Sequence, residues 1–88
     1  MSEKLSVYIV DNNSEFSNRI KDEIRKSSSY VVVGSAVNGE QCLKEMSNRS
    51  VDLLVLDLIM PVKDGLQVLR EMKDHHMSAK HILCMTCF

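Results

Sequence analysis

The sequence predicts an α/β protein: a doubly wound parallel sheet covered by helices on both faces. Three observations predict it. Apolar, β-favouring runs at residues 5–10, 30–33, 53–56 and 82–85 alternate with amphipathic segments of helical period, the order that builds a parallel sheet through right-handed helical crossovers. The later runs lack polar alternation, as strands buried on both faces do. Oxygen-bearing side chains follow three of the runs directly: Asp11 with Asn12, then Asp57, then Thr86.

The first run stops at Asp11-Asn12-Asn13-Ser14, a cluster of turn and N-cap residues, so a buried strand feeds a helix capped by Asn13 or Ser14. Phe16, Ile20 and Ile24 recur every four residues among charged neighbours and give that helix one apolar face. The second strand starts at Tyr30 and is expected to close at Gly34, with Asn38-Gly39 turning into a second helix striped by Cys42, Leu43 and Met46. Residues 53–56 form a central strand ending at Asp57. A loop holding Pro61 and Gly65 leads to a third helix striped by Leu66, Leu69 and Met72 and broken at His75-His76. Residues 82–85 are expected to be a fourth strand apolar on both faces, and Met46, Met60, Met72, Met77 and Met85 to fill the core.

Composition narrows the function. With 88 residues, 44% hydrophobic, the chain is expected to form one domain over residues 1–88. Eleven basic and twelve acidic residues leave a formal net charge of −1 with no long block of either sign, which disfavours nucleic-acid binding by this segment. Its apolar runs are far shorter than the ~20 residues that span a bilayer. With no secretory leader at Met-Ser-Glu-Lys, a cytoplasmic location is expected. Cys42, Cys84 and Cys87 read as reduced thiols in the core, because the Cys84-Met85-Thr86-Cys87 spacing in a strand points its sulfurs to opposite faces.

The strand ends carry the chemistry. In a doubly wound sheet the ligand crevice lies beyond the carboxyl ends of the strands, where strand order reverses. With order 2-1-3-4, Asp11 and Asp57 converge there. Paired carboxylates repel unless a cation neutralises them, and an oxygen-rich site with few protein ligands suits Mg²⁺. Asp57 beside such an ion has the character of a nucleophile toward phosphorus, and the Thr86 hydroxyl that of a donor to a phosphoryl oxygen. The plainer alternative, in which these aspartates only cap helices, explains either one alone better than both together.

At these residues the chain resembles the receiver domains of two-component response regulators, and among them those of the sporulation regulators of endospore-forming bacteria. Val55-Leu56-Asp57-Leu58-Ile59-Met60-Pro61 followed by Asp64-Gly65-Leu66 is similar to the family's phosphoacceptor segment, D-x-x-M-P-x-x-D-G. Asn38 to Leu43 is similar to the second-helix entry of the sporulation regulators. The resemblance implies a flavodoxin-like fold and a regulatory phosphoacceptor rather than an enzyme. It makes Asp57 the phosphoacceptor, Thr86 the switch hydroxyl, and Asp11, Asn12, Asp57 and the Ile59 main-chain carbonyl the Mg²⁺ ligands. It also implies a histidine kinase or phosphotransfer protein as phosphoryl donor, and a downstream output domain acting on sporulation-type transcription.

Two departures from the family pattern shape further expectations. Asn12 stands where the family has a second acid, so Mg²⁺ is expected to bind weakly. The family's fifth strand, with its lysine, and last two helices have no counterpart here. An alternative is therefore a phosphotransfer-impaired dimerisation or interaction module. A homodimer is expected through the fourth strand, by a twofold contact or an exchange of C-terminal elements. A third reading gathers His75, His76, His81 and the late cysteines into a zinc site, with ligand types that fit and a spacing that does not.

Overall fold

A computed structural model describes residues 4–58 and 64–85. Four strands and three helices alternate: β1 Leu5–Val10, α1 Ser14–Arg25, β2 Tyr30–Ala36, α2 Gly39–Met46, β3 Ser50–Asp57, α3 Gly65–Glu71 and β4 Ser78–Met85. All pairings are parallel, as the unbroken apolar runs predict, and the sheet order is β2-β1-β3-β4. The switch point falls between β1 and β3, whose crossovers leave on opposite sides.

Each helix starts on a side chain suited to it. Asn13, Asn38 and Asp64 lie in extended conformation and accept hydrogen bonds from the backbone N–H of Phe16, Gln41 and Gln67 at 3.1, 2.8 and 2.8 Å. These bonds satisfy donors that a helix leaves free in its first turn. Asn13, not Ser14, is the cap of α1.

Two hydrophobic clusters sandwich the sheet. Tyr8, Val10, Leu54 and Leu56 meet Cys42, Leu43 and Met46 of α2 and Val68 and Met72 beside α3. On the other face Val7, Ile9 and Val55 meet the half-buried Ile20 and Ile24 of α1, with Val32, Leu53 and Met85 of the sheet at the margin. Met46, Met72 and Met77 are buried and Met85 is half-buried; Met60 lies outside the described residues.

Four expectations need correction. Gly34 does not close β2, which runs on to Ala36 after a bulge that skips Val33 in the pairing with β1. There Gly34 makes room for the Tyr8 ring: a β-carbon would stand 2.8 Å from Tyr8 Cε2. Leu66 is exposed, because the buried stripe beside α3 is Gly65, Val68 and Met72, with Leu69 half-buried. Residues 82–84 are exposed rather than buried on both faces, β4 being the outer strand of the described sheet. Cys84 is accordingly exposed, whereas Cys42 sits in the core with its thiol pushed up to about 12 by burial and then by the charge of Glu45.

Candidate functional site

Asp11 and Asp57 stand at the carboxyl ends of β1 and β3, one residue beyond the paired Val10 and Leu56. Both are buried, at 3% and 4% exposure, which is unusual for aspartate. Together with Asn12, Asn13, Ser14, Glu15 and Phe16 they line a cleft of about 660 Å³. The sheet topology thus brings together three of the residues singled out from the sequence: Asp11, Asn12 and Asp57. The other two, Ile59 and Thr86, lie outside the described residues.

The Asp11 carboxylate is held in place by the chain that follows it. Its Oδ1 accepts from the Asn13 N–H at 2.8 Å, so the turn that caps α1 also orients the carboxylate. Burial raises its pKa above the ordinary carboxylate value. The Asn13 N–H opposes that shift, and the negative charge of Asp57 adds to it. The two groups therefore sense each other electrostatically across the cleft.

Asp57 is positioned by backbone packing at its own strand end. The Leu58 N–H donates to the Met85 carbonyl at 2.8 Å, and the Gly65 N–H donates to the Leu58 carbonyl at 3.1 Å. A β-carbon at Gly65 would stand 2.5 Å from the Asp57 carbonyl oxygen and 2.7 Å from the Leu58 Cα. Only glycine lets α3 begin directly against the backbone at the end of β3. This packing and the capping by Asp64 give physical roles to two motif residues that the sequence reading quoted without a role.

The donor set suits a hard cation. Two carboxylates and the Asn12 side chain in the same cleft offer oxygen ligands, and a divalent ion would offset the negative charge that Asp57 sets beside Asp11. A zinc clip through His75, His76, His81 and Cys84 is not formed: among the described residues no three His, Cys, Asp or Glu side chains gather to hold a metal. Nor is any helix of the described residues long and apolar enough to cross a membrane.

Comparison with known proteins places this geometry. A family model described as the response regulator receiver domain matches residues 7–88. The signal receiver domain of the response regulator NarL from Mycobacterium tuberculosis superposes with a TM-score of 0.82 at 26% identity, over 98% of this chain and 68% of that one. The receiver domain of AraT from Geobacillus stearothermophilus gives 0.70 at 23% identity, over 93% and 81%. RcsB from Salmonella enterica serovar Typhimurium, solved on promoter P1flhDC with a beryllofluoride phosphomimetic, gives 0.77 at 21%. There the match covers 96% of this chain but only 43% of RcsB.

Proposed function

This chain belongs to the response regulator receiver domain family, and from that premise we propose that it receives a phosphoryl group on Asp57 with the assistance of Mg²⁺. The observation that carries the reading is the pair of buried carboxylates, Asp11 and Asp57, facing one cleft at the switch point of the sheet. Two buried carboxylates lining one cleft are the arrangement that a bound cation favours, because it offsets the charge of both.

In the proposed step an Asp57 carboxylate oxygen attacks the phosphorus of a phosphohistidine or a small acyl phosphate. The new P–O bond forms as the bond to the imidazole or carboxylate breaks, and the electron pair leaves with that group. Mg²⁺, when bound, offsets charge on the transferring phosphoryl oxygens. Asp11, Asn12, Asp57 and the Ile59 carbonyl would hold it. The role of Asp11 is to keep a charged oxygen oriented by its bond from Asn13, and the Thr86 hydroxyl would donate to the phosphoryl group. Histidine kinases or phosphotransfer proteins are the donors with which receiver domains work.

Intact-mass measurement after incubation with acetyl phosphate and Mg²⁺ tests the assignment. The wild-type chain is expected to gain one phosphoryl group and Asp57→Ala none; an equal gain in both would overturn it. A narrower reading, that the output is sporulation-type transcription, rests on the sequence likeness of Asn38 to Leu43. It predicts faster phosphoryl transfer from a sporulation phosphotransfer protein than from an unrelated kinase. A second reading, self-association, is favoured by the apolar exposure of Ile82 and Leu83 on β4.

A further inference from the structure

The opposite edge of the sheet is built differently from the β4 edge. A cleft of about 370 Å³ is lined by residues 30–35, six consecutive positions of β2. Neighbouring residues of a strand point to opposite faces, so a cleft touching all six runs along the edge of the strand and not over one face. Among the described residues β2 is the outer strand and is hydrogen-bonded to β1 alone. An edge of this kind presents backbone N–H and C=O groups able to pair with a further strand. Val31 and Val33 are exposed at 39% and 54%, and the bulge that leaves Val33 out of register with β1 lies here.

Among the described residues, the charged side chains that line this cleft are all cationic: Lys4, Lys21 and Arg25. Lys21 and Arg25 lie one helical turn apart on α1, so both flank the same stretch of β2. Arg25 is also paired with Asp22 at 3.1 Å, an exposed contact of small energetic weight. In a chain of formal net charge −1, this edge is locally basic. A second copy pairing its β2 against this one across a twofold axis would bring the same cations face to face.

We propose that the free edge of β2 is a docking site for an extended, acidic peptide segment of a partner protein, which adds as a strand beside β2 and sets its carboxylates against Lys4, Lys21 and Arg25. Main-chain hydrogen bonds supply the affinity common to any strand, and the cations select an acidic one. Apolar side chains of the segment, alternating with its acidic ones, cover Val31 and Val33. The site lies away from the Asp11–Asp57 cleft and shares no lining residue with it.

A fluorescein-labelled eight-residue peptide of alternating Glu and Val, with a Lys–Val peptide as control, provides the test by anisotropy, with amide hydrogen exchange to locate binding. The Glu–Val peptide is expected to bind and to slow exchange of the residue 31–35 amides. The double variant Lys21→Glu/Arg25→Glu should weaken it about tenfold or more, the scale of two exposed ion pairs reversed. Both positions are on the helix surface, and circular dichroism checks that the variant is folded. Equal binding of the Lys–Val peptide, protection confined to β4, or unchanged affinity in the double variant would each overturn the proposal.

Discussion

Asn12 decides how strongly the cleft holds a cation. It lines the site beside Asp11 and Asp57 but brings no charge. Asn12→Asp is expected to tighten Mg²⁺ binding about tenfold, roughly 1.4 kcal/mol, and to lower the melting temperature of the metal-free chain through repulsion with its neighbours. Titration calorimetry with an unchanged affinity would show that Asn12 does not face the ion. Proton competition gives this site a second readout. The folded-state pKa of Asp11 is raised by burial first, with Asp57 adding. Its protonated form therefore favours the fold, a contribution full below the unfolded-state pKa and lost as pH rises through the raised folded value. The cation needs the charged form, so Mg²⁺ affinity should fall by up to about tenfold per pH unit once pH drops below that raised value. Asp11, Asn12 and Asp57 were all legible in the sequence because they follow apolar runs directly. The bond from Asn13 to Asp11 was not, since it depends on the turn conformation that only the folded chain displays.

The passage from β3 to α3 shows why one element depends on a single small residue. The first residue of α3, Gly65, donates its N–H to Leu58 and leaves no room for a side chain against the Asp57 and Leu58 backbone. Gly65→Ala should overpack this contact and cost about 2 kcal/mol, lowering the melting midpoint by roughly 10 °C. It should also slow phosphorylation of Asp57 by moving its strand end. A variant as stable and as reactive as wild type would show that the helix start can shift freely. Of the stripe Leu66, Leu69 and Met72, Met72 is buried and Leu69 half-buried, and only Leu66 points outward, because Val68 shares a helical spacing with Met72 that is just as good. Periodicity identifies a stripe; which stripe faces the sheet is set by how the first turn lands, and here Gly65 lands on β3. β2 was cut short for a related reason. Gly34 reads as a strand end, yet it continues the strand beneath the Tyr8 ring, whose hydroxyl reaches over to Glu45 at 2.7 Å.

At the scale of the whole molecule the two faces of the described sheet are unequally covered: among the described residues α2 and α3 pack on one face and α1 on the other. The α/β class and the parallel pairing followed from the apolar runs, because a continuous apolar strand is stable only between two layers, whereas the strand order came with the family resemblance. The sequence pattern could not say how far β4 is covered among the described residues, since apolarity records what a strand suits and not what covers it. In the described residues Ile82 and Leu83 are 40% and 52% exposed, and no charged residue occurs from 82 to 85. Lys80, within β4, is paired with Asp52 of β3 at 3.4 Å. A twofold pairing of residues 82–85 with their counterparts in a second copy sets no charged side chains against one another, unlike a pairing of the basic β2 edge. Burying ~400 Å² of apolar surface in this way favours association by roughly 10 kcal/mol before the cost of association. The chain is therefore expected to sediment as a dimer at micromolar concentration, and Leu83→Lys to return it to monomer while leaving its circular dichroism unchanged, because Leu83 is already solvent-exposed. A wild-type chain that sediments as a folded monomer would remove the dimer, and a dimer unmoved by Leu83→Lys would place the contact elsewhere.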